Sequence, residues 1–274
     1  MDVAVLTHRR PEQVAEALAV LHRLAAEHGA TVHFDPDEAA KHGVEVSSAD
    51  GPFDLCLVLG GDGTILTALR RFAGTATPVF AVNFGEVGFL ATVDPDRLEE
   101  GLSLALRGEF DRMELPAIVV RLGDEEHRAI NDVSFHRKQG ARVADLAYAI
   151  GEDEVGRVRC DGLVVATPAG STGYNLANGG PVMAWGVEGF VVSFIAPHSL
   201  TARTLVVAPN DVLTVSNRSR EEAADVTVDG RVACELAPGD PIELRFLDGQ
   251  AVLAQLPAAT FYHRLREKFG RLAF

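Results

Sequence analysis

Apolar positions in the first hundred residues fall into short unbroken runs separated by amphipathic stretches. Residues 3–7, 31–34, 54–59 and 78–83 have the aliphatic and β-branched density of buried strands. Between the first two, residues 11–28 repeat Ala and Leu at helical spacing, with Pro11 in the first turn, Glu12 beside it and Gly29 as a stop. A second helix is predicted after Thr64, with Ile65, Leu66, Ala68, Leu69 and Phe72 on its apolar side, and a further helical stretch over 95–107. This alternation is the rhythm of an α/β domain built on a mostly parallel sheet.

Near Asp111 the period changes. Two-residue alternation dominates 117–122, 143–150 and 226–232, with Gly and Asp at the turns, and predicts a β-rich second domain. Helical spacing returns over 260–272, where Phe261, Leu265, Phe269 and Leu272 share a face and Arg264, Arg266, Lys268 and Arg271 fall largely on others. That segment is expected to pack back on the first domain, and its basic face reads as a solvated helix surface. The predicted organisation is an N-terminal Rossmann-like α/β domain, residues 1–111 with 258–274 returning to it, and a C-terminal β-rich, β-sandwich-like domain over 112–257. No repeat or low-complexity linker marks the boundary.

Charge narrows the range of partners. The chain of 274 residues carries 25 Lys and Arg against 39 Asp and Glu, a net charge of -14, which argues against nonspecific nucleic-acid or membrane binding. Any polyanionic ligand must then be met locally, by backbone amides, a metal ion or a few placed cations. Cys56, Cys160 and Cys234 stand singly in apolar surroundings, without metal-ligand spacing, and read as reduced thiols. The first residues are too acidic and too briefly apolar for a signal peptide, and no apolar stretch of roughly 18 residues follows. A soluble cytoplasmic protein is expected.

Chemistry concentrates where the third strand ends. Leu57-Val58-Leu59 runs into Gly60-Gly61-Asp62-Gly63-Thr64, and glycines there free the backbone for positive φ and for close approach of N–H groups to an anion. The following helix adds the positive end of its dipole. A carboxylate among such amides suits proton abstraction or metal binding; the same residues also suit a tight turn with Asp62 as a local cap. A second small-residue loop, Asn83-x-Gly85-x-x-Gly88-Phe89-Leu90, closes the next strand at the same edge, where ligands of open α/β sheets bind, or serves turns alone.

Three clusters in the second domain exceed what a β-framework needs. Asn131 and Asp132 can read a sugar edge through amide and carboxylate, or form an Asx turn. Residues 159–175, followed by Gly179-Gly180-Pro181, are rich in hydroxyls and glycines and read as a long functional loop in which Tyr174 stacks on a base while Thr172 and Asn175 hydrogen-bond to ligand. His198 and Arg203 touch phosphate or cap strands.

Taken in order, these motifs resemble the NAD kinase family over nearly the whole chain. The first glycine loop alone also occurs in lipid kinases, whereas the set with Asn131-Asp132, Asp161-Gly162-Leu163, Thr167-Pro168-x-Gly170-Ser171-Thr172-Gly173-Tyr174-Asn175, Gly179-Gly180-Pro181, Pro197-His198-Ser199 and the closing Arg264 to Gly270 segment is specific. Neither a P-loop nor a Gly-x-Gly-x-x-Gly fingerprint is present. The resemblance implies phosphoryl transfer from ATP or polyphosphate to the 2'-hydroxyl of the adenosine ribose of NAD, giving NADP, by a phosphotransferase with an alcohol acceptor. It implies Asp62 as general base, with Gly61, Gly63 and Thr64 on phosphates. It further implies Asn83, Asn131 and Asp132 on the dinucleotide, Arg159 and Asp161 at its other end, and Ala169 with Thr172, Gly173, Tyr174, Asn175, Leu176 and Ala177 around the adenosine. Magnesium or another divalent cation on the donor phosphates, with no protein ligand assigned, and a homodimer or homotetramer complete what it implies. Asp132 stands where glutamate is common, Gly173 where alanine is usual, and Ala169 where threonine or serine is frequent.

Overall fold

The computed structural model describes residues 1–47, 52–85, 88–257 and 260–270. Glu86 and Val87 of the second glycine loop, and Arg271 and Leu272 of the closing segment, lie outside the described residues. The chain forms two compact units, Met1–Glu114 with Ala251–Phe274, and Leu115–Gln250.

In the first unit, β1 (Asp2–Thr7), α1 (Ala15–His28), β2 (Thr31–His33), α2 (Pro36–His42), β3 (Leu55–Gly60), α3 (Asp62–Arg71), β4 (Pro78–Asn83) and α4 (Leu98–Leu106) follow in order. The strands pair in parallel as β2-β1-β3-β4. Helices cover both faces of β3, and every residue of β3 and β4 is buried, which is why these runs are continuously apolar. Val5, Leu57 and Phe80 pack with Leu21 of α1 and Leu102 of α4, while Ile65, Ala68 and Leu69 of α3 are buried against β1, β3 and β4. The register sets Gly60 beside Asn83, so both glycine loops leave the same strand edge.

Two helix starts differ from the prediction. Residues Pro11–Gln13 form a 3-10 turn, and Val14, fully buried at φ -120° and outside the helical region, separates it from α1, so core packing outweighs the Pro11 start signal. The 95–107 stretch likewise opens with a 3-10 turn, Pro95–Arg97, before α4. Gly29 ends α1 as expected, at φ 66° with its N–H donating to the carbonyls of Ala25 and Ala26.

The second unit contains most of β5 (Asp111–Leu122), then β6 (Glu125–Ala129), β7 (Asp132–Arg137), β8 (Ala144–Ile150), β9 (Asp153–Cys160), β10 (Gly162–Ala166), α5 (Tyr174–Ala177), β11 (Phe190–Ile195), β12 (Leu205–Val207), β13 (Val212–Asn217), β14 (Ala224–Val228), β15 (Arg231–Leu236) and the first part of β16 (Pro241–Gln255). One antiparallel sheet runs β12-β11-β10-β7-β14-β15. The other joins β16, β13, β8 and β9, with β5 beside β16 and β6 beside β5. Phe135, Leu163 and Phe190 from the first interdigitate with Leu146, Leu213 and Leu244 from the second, the shared core of a sandwich.

Both passages between units are made inside strands, β5 and β16, which is why no linker composition announces them. The second half of β16 pairs Val252 and Leu253 in parallel with Pro78 and Val79 of β4, and α6 (Phe261–Phe269) follows within the first unit. No helix among the described residues is long and apolar enough to cross a membrane.

Candidate functional site

In the first unit the glycine loop is tighter than predicted. α3 begins at Asp62 rather than after Thr64, with Gly61 as its N-cap at φ -93° and ψ -177°. Gly60, Gly61 and Gly63 are not in the left-handed region that the sequence suggested; they are needed for space. A Cβ on Gly60 would lie 2.7 Å from Thr64 Oγ1, and one on Gly85 would lie 2.9 Å from the Gly61 Cα, because the two loops touch backbone to backbone. The N–H of Phe84 donates to the Gly60 carbonyl at 3.1 Å and ties them together. The N–H groups of Asp62 and Gly63 precede the first helical hydrogen bond and point out of the positive end of α3.

Asp62 does not cap its own helix. Its half-buried carboxylate accepts the N–H of Phe89 at 2.7 Å and of Leu90 at 3.1 Å. Burial pushes its pKa above the ordinary aspartate value, while those two hydrogen bonds and the charges of Arg264 and Lys268 act the other way. Asn83 is buried and braces its own turn, Oδ1 accepting from Gly85 N at 3.0 Å and Nδ2 donating to Asp94 Oδ1 at 3.4 Å. A cleft of about 260 Å³ opens beside these residues, lined by Asn83, Gly88, Asp94, Arg97, His263 and Lys268 among others.

Arg264 overturns the expectation of a solvated basic face. It is buried beneath this loop, donating through Nη1 to the carbonyls of Phe89 (3.0 Å) and Ala91 and through Nη2 to Gln255 Oε1. Burial pulls its pKa down to about 10, opposed by Asp62, Glu267 and Asp94, so it stays charged at neutral pH. The spacing of α6 puts Phe261, which is buried, and Phe269, which is 41% exposed, beside the ring of Phe89, with centroids 5.5 and 6.1 Å away. Periodicity gives an arginine on an apolar face no weight, although Arg264 sits three residues after Phe261 and shares that face.

In the second unit two motifs are locked together. Thr167 Oγ1 donates to the Ile130 carbonyl at 2.6 Å, Thr167 N to the Asn131 carbonyl at 2.9 Å, and a Cβ on Gly170 would fall 2.0 Å from that same Asn131 oxygen. Residues 159–175 are not one long loop: they finish β9, cross the sheet as β10, and turn through a 3-10 segment, Gly170–Thr172, into α5. The apolar run from Leu163 to Ala166 is the buried strand that the glycines and hydroxyls around it concealed.

Individual residues take different parts. Thr172 donates to the Ala169 carbonyl at 3.1 Å. Asn175 is fully buried, its Nδ2 bound at 2.9 Å to the carbonyls of both Ser171 and Pro181, and so it holds the turn from inside. Gly173 and Ala177 are exposed, Leu176 half-buried and Ala169 buried. Tyr174 stacks on His136 with centroids 5.7 Å apart and rings 18° from parallel, and burial keeps His136 below its ordinary pKa, hence neutral. Asp161 accepts from Arg137 Nε at 2.6 Å. Arg159 is exposed on β9, and its carbonyl accepts the His198 N–H at 2.7 Å. Arg203 caps the carbonyls of Leu200 and Ala202.

Asp229 escaped the sequence reading. Its carboxylate gathers the N–H groups of Ile130, Asn131 and Asp132 at 3.1, 2.8 and 3.1 Å. The Asp229-Gly230 pair, at φ 47° and 73°, is the primed turn joining β14 to β15; the dipeptide signals that turn, but not the target of its carboxylate. Burial first, and the neighbouring Asp229 second, push Asp132 up to about 7. Asn131 Oδ1 is buried without a hydrogen-bond partner among the described residues.

Residues 7–110 match the family profile described as ATP-NAD kinase N-terminal domain, and residues 130–256 that of the ATP-NAD kinase C-terminal domain. The chain belongs to the NAD kinase family. It is 34% identical to the NAD kinase of Gemmatimonas aurantiaca over 98% of this chain and 96% of that protein, and 37% identical to that of Syntrophotalea carbinolica over 81% and 80%. Among solved structures, an NAD kinase from Archaeoglobus fulgidus in complex with ATP superposes with a TM-score of 0.77 at 27% identity, covering 98% of each chain. Yeast NADH kinase complexed with NADH shares the fold, with a TM-score of 0.87 at 22% identity over 100% of this chain and 89% of that one.

Two predictions follow from the packing within each unit of this family member. Gly85→Ala forces a Cβ against the Gly61 backbone and is expected to cost about 1–3 kcal/mol, read by thermal unfolding; an unchanged melting temperature would show that the loops part freely. Folded Asp132 keeps its proton to about pH 7, while the unfolded chain releases it near 3.8, so wild-type stability is expected to fall as pH rises between those values. Asp132→Asn removes that dependence: the variant should match wild type near pH 4 and exceed it at pH 8 by at most roughly 4 kcal/mol. Parallel stability curves for the two proteins would show that Asp132 titrates as an ordinary carboxylate.

Proposed function

We propose that the chain transfers the γ-phosphoryl group of ATP to the 2'-hydroxyl of the adenosine ribose of NAD, giving NADP. The observation that carries this reading is the Asp62 carboxylate, held by two backbone N–H groups at the mouth of a helix whose own first amides remain directed outward. An uncharged sugar hydroxyl is a poor nucleophile at neutral pH, and a fixed carboxylate within hydrogen-bond reach accepts its proton as the bond to the γ-phosphorus forms and the bond from that phosphorus to the bridging oxygen breaks, releasing ADP. The amides around Gly61, Gly63 and Thr64 meet the donor phosphates, where positioning and charge neutralisation supply most of the rate. The ATP complex of the Archaeoglobus fulgidus relative supports a nucleotide donor. Polyphosphate is the alternative donor.

Asn131 and Asp132 are proposed to take the dinucleotide's ribose and adenine, with the unpartnered Asn131 Oδ1 as the atom awaiting a donor. Asp161 and Arg159 take its other end, and the 172–177 turn surrounds the adenosine, where Tyr174 is braced by His136. Among the described residues no cluster of three or more His, Cys, Asp and Glu side chains is suited to hold a metal. Magnesium is proposed to enter on the nucleotide phosphates, keeping most of its waters, rather than in a protein cage. The ion supplies charge neutralisation on those phosphates. Cytoplasmic placement is supported by three free thiols, and assembly as a homodimer or homotetramer is tested by sedimentation.

The deciding experiment is a mass-resolved assay for NADP with magnesium, NAD and either ATP or polyphosphate, on wild type and Asp62→Asn. The variant is expected to fold and to lose at least roughly a hundredfold in turnover, and wild-type turnover in it would remove Asp62 from the mechanism. Because burial raises the Asp62 pKa, the active carboxylate is lost on acidification at a higher pH than for an exposed aspartate, so the acid limb of the wild-type kcat/KM profile, which reports the free enzyme, should lie above the ordinary aspartate range.

A further inference from the structure

The peptide unit between Phe89 and Leu90 is hydrogen-bonded at both ends. Its carbonyl accepts from Arg264 Nη1 at 3.0 Å, and its N–H donates to Asp62 Oδ1 at 3.1 Å. In a planar trans peptide these two groups point in opposite directions, so fixing one aims the other. On either side, the Phe89 N–H reaches Asp62 Oδ2 at 2.7 Å and the Ala91 carbonyl accepts from the same guanidinium nitrogen. Residues 89–91 are therefore clamped between a carboxylate on α3 and a guanidinium on α6. Each hydrogen bond polarises the peptide in the sense that strengthens the other.

We propose that Arg264 is a positioning residue for the reaction: through the Phe89–Leu90 peptide it fixes the orientation of the Asp62 carboxylate. The proposal rests on the reading of Asp62 as the base. A planar, forked donor suits this place, because one nitrogen serves two carbonyls while the other is held by Gln255 Oε1. Gln255 is itself buried at the end of β16. The carboxylate and the guanidinium thus stabilise each other through the backbone between them, and loss of the cation frees the peptide to rotate.

The test is Arg264→Met and Arg264→Lys, each compared with wild type by steady-state kinetics and by hydrogen exchange at the amides of residues 89 and 90. Arg264→Met is expected to lower kcat roughly ten- to a hundredfold, the scale of a misplaced catalytic group, with KM for both substrates changed less than about threefold. Exchange should quicken at 89 and 90 ahead of the strands of the same unit, and Arg264→Lys should restore part of kcat. Unchanged kcat, a loss confined to KM, or exchange that quickens evenly across the unit would each overturn the proposal. If the methionine variant does not fold, Gln255→Met, which removes the support of the second guanidinium nitrogen, is expected to show the same pattern more weakly; wild-type kinetics and exchange in it would count against the proposal. Combining either variant with Asp62→Asn separates the two readings. If Arg264 acts through Asp62, the double variant loses no more kcat than Asp62→Asn alone, and a multiplicative loss overturns the route through Asp62. Full turnover in Asp62→Asn would refute the base instead, and the exchange at 89 and 90 would still report whether Arg264 holds that peptide.

Discussion

A carboxylate withdrawn from water must find donors, and in each unit of this protein an aspartate finds them in the backbone. Asp62 takes the N–H groups of Phe89 and Leu90, and Asp229 takes those of residues 130–132. Backbone donors are fixed by the fold, so each aspartate specifies the course of a loop while the loop specifies the direction of the carboxylate. The two cases differ in what is left over. Three N–H bonds commit Asp229 to structure, whereas Asp62 keeps acceptor capacity beyond its two.

Glycine enters the site for room rather than for rotation. Gly60 makes way for the Thr64 side chain, Gly61 and Gly85 for each other, and Gly170 for the Asn131 carbonyl, all without left-handed backbone. The glycines that do adopt positive φ, such as Gly29 and Gly230, end a helix and turn a hairpin. A substitution at the first kind displaces a neighbouring element; at the second it strains only its own residue.

These distinctions mark how far the sequence could be read. Strand and helix identities in the first unit followed from periodicity because β3 and β4 are buried on both faces, whereas the alternation read over 226–232 runs across the Asp229-Gly230 turn from the end of β14 into the start of β15. Asp62 stood out because an acid among glycines at a strand end is chemically conspicuous, and Asn131 and Asp132 because an adjacent amide and carboxylate follow a short apolar run. What stayed hidden depends on partners distant in sequence. Arg264 is separated from Phe89 by 175 positions and Asp229 from Ile130 by 99, and neither carries a local signal of its target. Asn175 looked like a ligand group because its surroundings are polar, yet it is fully buried and satisfies two carbonyls. Polar residues in such a turn have either the ligand or the turn itself to serve, and composition does not distinguish the two.

The net charge of -14 gives the local arrangement its significance. On the proposed reading both substrates are anions, and the long-range field of the chain repels them. That field is screened within about 8 Å at physiological ionic strength, so affinity must come from groups at contact distance. The first amides of α3 provide such groups without adding a mobile cation, and they bind an anion at little entropic cost because the helix already holds them. Arg264 belongs to the same economy of fixed charge. Its cation is buried, directed at carbonyls and opposed by Asp62, Asp94 and Glu267, so it shapes the base's surroundings while offering little attraction to solution anions. A lysine or arginine free at the surface would attract a phosphate more strongly, but it would leave the Phe89–Leu90 peptide, and with it the carboxylate, without a fixed orientation.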